Sequence, residues 1–190
     1  MLDQKLKERL KNIRAVALDG DGVIFTGQIL EGINGSLGKL RSHADGQGIS
    51  LLRSAGIPVA CITGEKEIDA LFLGKLVERW NNFPAAKAGK MPPVKLFSGV
   101  QREQKAVAAE SWLRGYNLAL SDCAAIGDDI SDYDLLQAVG FSAAPAQAEE
   151  VIKKMVHYVT PRRGGDGAVR DLANLILEAK GIDITTLVIR

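Results

Sequence analysis

The chain is poor in several features, and each shortage excludes a class of protein. It has only two cysteines, Cys61 and Cys123, each inside a short apolar run. That is too few for a disulfide framework, and both read as small buried thiols, which implies a reducing, cytoplasmic setting. Neither sign of charge dominates, with 24 Lys and Arg against 23 Asp and Glu for a net charge of +1. Such a balance excludes a surface built mainly around nucleic acid. No apolar run approaches the length of a membrane span, and the opening MLDQKLKERLKNIR is charged throughout, without the apolar core of a signal peptide. Repeats, low-complexity tracts and long linkers are also missing, so 190 residues with 46% hydrophobic character are expected to form a single domain over 1–190.

What is present alternates. Short apolar runs too brief for helices recur at Ala15 to Leu18, Val59 to Ile62, Val94 to Phe97, Ala124 to Ile126, Gly140 to Ala143 and His157 to Val159. They read as buried strands. Between them lie helical patterns at Leu2 to Asn12, Gly48 to Ser54, Glu67 to Trp80, Glu103 to Arg114, Tyr133 to Ala138, Ala148 to Met155 and Ala168 to Ala179, with Gly56, Gly115 and Gly181 placed as left-handed caps. This order predicts an α/β fold of three layers, with helices on both faces of a central parallel sheet. Residues 24–38, IFTGQILEGINGSLG, read instead as a projecting β-hairpin, and Asn81 to Pro93 as a loop. Trp80 and Trp112 fall on helices as packing residues, and His43 and His157 stand too far from the acidic clusters in sequence to argue a metal pair.

In an open parallel sheet the reacting groups collect beyond the carboxyl ends of the strands. After the first strand comes Asp19-Gly20-Asp21-Gly22 and after the second Thr63-Gly64; Lys105 opens the helix after the third, and Gly127-Asp128-Asp129 with Asp132 follows the fourth. Each residue type suits phosphoryl transfer. Asp19 can attack phosphorus, and Asp21 can protonate the leaving oxygen and then activate water. Asp19 and Asp128 supply hard oxygen ligands for Mg²⁺, which offsets the repulsion between a carboxylate and a phosphate dianion. Lys105 and Thr63 can hold the remaining phosphate oxygens. Alone, each signal has a plainer reading as a turn, a helix cap or a surface charge; in this order they point to a phosphatase.

The same motifs resemble the haloacid dehalogenase superfamily, carried by ALDGDGV, CITG, Lys105 and IGDDISD. Nearly the whole chain is similar to the small cap-less 3-deoxy-octulosonate 8-phosphate phosphatases, through DGDGVIFTG, Lys39 with the following DGQGISLLRSAGI, GDDISDYDLLQAVG and the tail RRGGDGAVRDL. The resemblance implies a Rossmann-like domain without a cap, Mg²⁺ bound in part by the Asp21 backbone carbonyl, and a homotetramer in which the hairpin and neighbouring subunits replace the cap. It makes a phosphorylated sugar acid the expected substrate. Lys39, Glu65, Arg162 and Arg163 are its candidate contacts, with Asp129 and Asp132 supporting the metal ligands and the Arg162 to Gly167 stretch expected as a mobile flap. Three departures stand out: Glu65 occupies a position generally held by Arg, IFTG replaces LTDG at Ile24 to Gly27, and the Asn81 to Pro93 loop is long. Glu65 is shared with relatives that act on nine-carbon ulosonate 9-phosphates. A receiver domain of two-component signalling uses similar residues but would place its Lys after the last acidic site. A non-catalytic interaction module would not need both Asp19 and Asp21.

Overall fold

The computed structural model describes residues 4–187. Strand β1 (Ala15–Leu18) lies at the centre of a six-stranded parallel sheet in the order β5-β4-β1-β6-β7-β8. Its neighbours are β4 (Val59–Ile62), with β5 (Lys95–Phe97) beyond it, and β6 (Cys123–Ile126), with β7 (Phe141–Ala144) and β8 (Tyr158–Val159) beyond. All four residues of β1, β4 and β6 are buried, as expected of strands covered on both faces.

The side chains of β1 divide by alternation. Val16 and Leu18 pack in one core layer with Cys61, Ile126 and residues of α2 (His43–Ser54), α3 (Glu67–Asn81) and α8 (Ala168–Ala179). Ala15 and Ala17 pack in the opposite layer with Cys123 and residues of α5 (Arg102–Arg114) and α6 (Tyr133–Ala138). The two thiols therefore lie on opposite faces of the sheet, buried and free. Helices α1 (Gln4–Asn12), α4 (Pro84–Lys87) and α7 (Glu150–Met155) complete the set. Among the described residues no cap domain interrupts the motifs.

Several sequence expectations shift. The first expected helix began at Leu2, which lies outside the described residues. Helix α2 starts at His43, five residues before the expected Gly48, because the Ser42 hydroxyl accepts the Ala44 amide at 3.1 Å and caps it. Its glycines had hidden the helical pattern, yet Gly48 is required for packing: a Cβ there would lie 2.8 Å from Arg170 Cα on α8. Gly115 is right-handed (φ −63°), and the left-handed residue after α5 is Asn117 (φ 55°). The hairpin is shorter than expected, β2 (Ile29–Gly32) paired antiparallel with β3 (Gly35–Lys39), because the chain from Gly20 to Phe25 forms a wide turn closed by the Phe25 amide donating to the Gly20 carbonyl at 3.0 Å. The loop at 81–93 carries the short helix α4, started by Pro84 at its first turn.

That loop is held by an unusual anchor. Arg53 of α2 is completely buried. Its guanidinium donates to the carbonyls of Pro92 (2.7 Å) and Trp80 (3.0 Å) and to Asn81 Oδ1 (3.4 Å). Asn81 in turn bonds both the N–H and the C=O of Val94.

Candidate active site

The order in which the chain adds strands reverses at β1, and the crevice beyond its carboxyl end is where such folds place ligands. There the chain leaves β1 at Asp19, whose amide donates to the Ile126 carbonyl at 3.1 Å. The turn that follows needs glycine at position 22, where φ is +77° and a Cβ would fall 1.9 Å from Asp128 Oδ2. Position 127 is equally restricted, since a Cβ would lie 2.4 Å from the Asp132 side chain. The two acidic loops thus approach more closely than any larger residue allows.

Lys105 is the hub. It is 1% exposed, and its ammonium donates to Asp19 Oδ1 at 2.6 Å and to Asp132 Oδ1 at 2.7 Å. Burial alone would lower the Lys105 pKa, but the two carboxylates raise it, so the ammonium stays charged. Asp132 Oδ2 accepts the amides of Asp128 (3.1 Å) and Asp129 (3.4 Å) and shapes their loop. Asp19 is pushed well above the usual carboxylate range, first by burial and then by Asp132. Burial, followed by Asp132 and Asp129, pushes Asp128 up to about 7.

Asp19, Asp21, Thr63, Glu65, Lys105, Asp128 and Asp129 line one hollow of about 280 Å³. Thr63 Oγ1 accepts the Glu65 amide at 3.2 Å, which sets the turn carrying Glu65. Asp21 Oδ2 accepts Lys39 Nζ at 2.7 Å, and Asp21 Oδ1 is buried without a partner among the described residues. Lys39 therefore reaches the site through Asp21, its own side chain buried at the base of β3.

The carboxylates of Asp19, Asp128 and Asp132 offer oxygens within 4.8 Å of one another. Both Asp132 oxygens are already engaged, which leaves Asp19 and Asp128 as the freer donors. A cluster of hard oxygens in which burial, followed by repulsion from neighbouring carboxylates, raises the pKa of Asp19 and Asp128 fits a small divalent cation.

Two expected contacts lie elsewhere. Arg162 is turned to α8, where its guanidinium pairs with Asp171 at 2.5 Å and its amide donates to the same carboxylate. Arg163 borders a neighbouring hollow with Thr26, Gln28 and Leu40. The expected flap is instead a packed buttress: Gly165 N donates to the Val23 carbonyl at 2.8 Å, and a Cβ on Gly164 would lie 1.7 Å from the Gly22 carbonyl oxygen. Sequence reasoning missed Ser131, which lines the site, and Gln147. The Gln147 amide donates to the Gly22 carbonyl at 2.7 Å and accepts the Gly164 amide at 2.8 Å. Nothing in PAQAEE marks that glutamine.

A family profile described as haloacid dehalogenase-like hydrolase matches residues 99–172. The 3-deoxy-D-manno-octulosonate 8-phosphate phosphatase of Salmonella typhi is 35% identical over 173 residues, spanning 91% of this chain and 84% of that protein. The chain belongs to this family of haloacid dehalogenase phosphatases. With it, the chain is a phosphomonoesterase. The Yersinia pestis phosphatase of the same name has the same fold, with a TM-score of 0.82 at 32% identity, covering 100% of this chain and 93% of that one. The Moraxella catarrhalis family member, solved with magnesium, phosphate and a KDO molecule, gives 0.78 at 29% identity over 95% and 94%. A Haemophilus influenzae member was solved in a cobalt-bound form, with a TM-score of 0.77 at 29% identity over 91% and 92%. Among the described residues no helix is long and apolar enough to cross a membrane.

Proposed function

We propose that this family member is a Mg²⁺-dependent, single-domain phosphatase of the cytoplasm that takes phosphate from a phosphorylated 3-deoxy-2-ulosonic acid through a phosphoryl group carried on Asp19. The observation that carries this reading is the Asp19 carboxylate: Lys105 fixes Oδ1 at 2.6 Å, and Oδ2 accepts no hydrogen bond from the described residues. Asp19 Oδ2 attacks phosphorus, and the ester oxygen leaves with a proton from Asp21, whose Oδ1 lacks a partner. Asp21 then takes a proton from the water that hydrolyses the aspartyl-phosphate, freeing Asp19 and inorganic phosphate. Mg²⁺, held by Asp19, Asp128 and the Asp21 backbone carbonyl, would supply the positive charge that lets anion meet anion. Lys105 opposes the rise that burial imposes on Asp19 and aligns its carboxylate, and the Thr63 hydroxyl binds a phosphate oxygen.

For the sugar, the names of the relatives favour the eight-carbon octulosonate 8-phosphate, whereas Glu65 beside the phosphate hollow favours a nine-carbon ulosonate 9-phosphate. A carboxylate there repels a substrate carboxylate brought close but accepts hydrogen bonds from hydroxyl or N-acyl groups. We therefore favour the nine-carbon substrate. The assembly proposed is a homotetramer joined through the hairpin, since Leu30, Leu37 and Leu40 are each 65% exposed and Ile68 and Leu71 of α3 are also exposed.

Phosphate release from both substrates with Mg²⁺ or excess chelator tests the proposal. Asp19→Asn should remove turnover on either, and undiminished turnover would end the nucleophile assignment. A preference for the octulosonate that Glu65→Arg leaves unchanged would end the reading of Glu65.

A further inference from the structure

A second hollow, of about 260 Å³, opens between α2 and α3 and shares no lining residue with the phosphate site. Arg41 and Arg79 both line it, and no carboxylate does. The two side chains share one hollow, and burial first and Arg79 second hold Arg41 below its usual pKa. The opposing carboxylate, Asp45, spends its oxygens on the amides of Gly167, Val169 and Arg170. The Arg41 side chain otherwise donates only to the Ser42 carbonyl, and the Arg79 side chain has no hydrogen bond or ion pair among the described residues.

His43, Gln47, Ser50 and Trp80 complete the polar lining, with Gln47 Oε1 accepting from Arg170 at 3.4 Å. Trp80 brings an indole N–H and Ser50 a hydroxyl to the lining. Gly46 forms its floor, where a Cβ would lie 3.4 Å from Trp80 Nε1 and 3.5 Å from Arg41 Nη1. The missing side chain therefore leaves a gap between two donors. Phe83 and Trp80 add apolar wall. This space is built in advance, because Trp80 and the segment bearing Phe83 are fixed by the buried Arg53.

A pair of like charges sharing one hollow without a carboxylate in its lining costs stability unless an anion occupies it. We propose that this groove is a second anion site, which binds a small organic oxyanion, carboxylate or phosphate, with its apolar face against Trp80 and Phe83. It is separate from the site at Asp19, so the ligand is an effector or a further ligand rather than the phosphoester under attack.

The sequence contains two tryptophans, so Trp112→Phe in the full-length chain leaves Trp80 as the sole indole reporter. Titration with gluconate as the carboxylate probe and inorganic phosphate as the phosphate probe should give a saturable change in Trp80 fluorescence. The probe with the lower midpoint assigns the class of oxyanion. Arg79→Gln should raise that midpoint at least tenfold, and Asp19→Asn should leave it unchanged. Arg79→Gln should also raise the melting temperature of the ligand-free protein, because it removes a repulsion; a structural arginine would lower it. The proposal fails if neither probe gives a saturable response, if Arg79→Gln leaves the midpoint where it was, if Asp19→Asn abolishes the response, or if Arg79→Gln lowers the melting temperature.

Discussion

Lys105 shows how a single residue can be both structural and reactive. It neutralises two largely buried carboxylates, so its removal strands Asp19 and Asp132 as uncompensated charges. Lys105→Met should therefore cost about 3–5 kcal/mol in urea unfolding of the metal-free protein, besides removing turnover. A loss under 1 kcal/mol would mean that the pair of ion bridges contributes little. That Asp19, Thr63, Lys105 and Asp128 gather in one hollow is legible in the sequence, because each follows a strand and parallel strands end together. The surroundings of Lys39 and Arg162 are not. A lysine or arginine has one name whether it meets a ligand, as expected for both, or a carboxylate of its own chain, as found with Asp21 and Asp171. Gln147 gave no signal at all, since its role depends on a carbonyl 125 positions away.

Among elements, the Arg163 to Gly167 buttress deserves comparison with the helices. Strand positions could be read from short apolar runs, but the start of α2 could not, because Gly46 and Gly48 look like helix breakers until Gly46 is seen against Trp80 and Gly48 against α8. The buttress likewise looked like a loose turn, since glycine marks both flexibility and close approach. Gly164 meets the Gly22 carbonyl, and Gly22 meets Asp128, so displacement of the first passes to the acidic loop. Gly164→Ala should keep its circular dichroism spectrum yet lose at least tenfold in kcat, with higher Mg²⁺ needed for half-maximal rate. An unchanged Mg²⁺ requirement would separate the buttress from the metal ligands.

For the whole molecule, two groups tie stability to pH in the same direction. Asp128 is pushed up to about 7, and Asp45, raised by burial against three backbone amides, to about 6, both above the ordinary 3.8. In that window the folded state binds more protons than the unfolded one, so their contribution is present at low pH and is lost as pH rises through about 6 to 7. The melting temperature of metal-free protein should thus fall between pH 5 and 8. Mg²⁺ should restore it most at pH 8, where Asp128 is ionised; an equal Mg²⁺ shift at pH 5.5 and 8 would contradict the assignment. Assembly is read by sedimentation: the proposed tetramer should appear for the native chain, and Leu37→Lys should give smaller species while the fold is kept.

The main sheet is short at both margins. β5 has three residues after Pro92 and Pro93, and β8 has two before Pro161. Prolines and brief strands leave no continuous row of free N–H and C=O groups for another chain to extend. A molecule that starts to open on heating therefore offers neighbours no template along its core. The hairpin, with Leu30, Ile33 and Leu37 in solvent, is where fibre growth or clumping would begin, so the segment proposed to join healthy subunits is also the one through which damaged ones would first stick together.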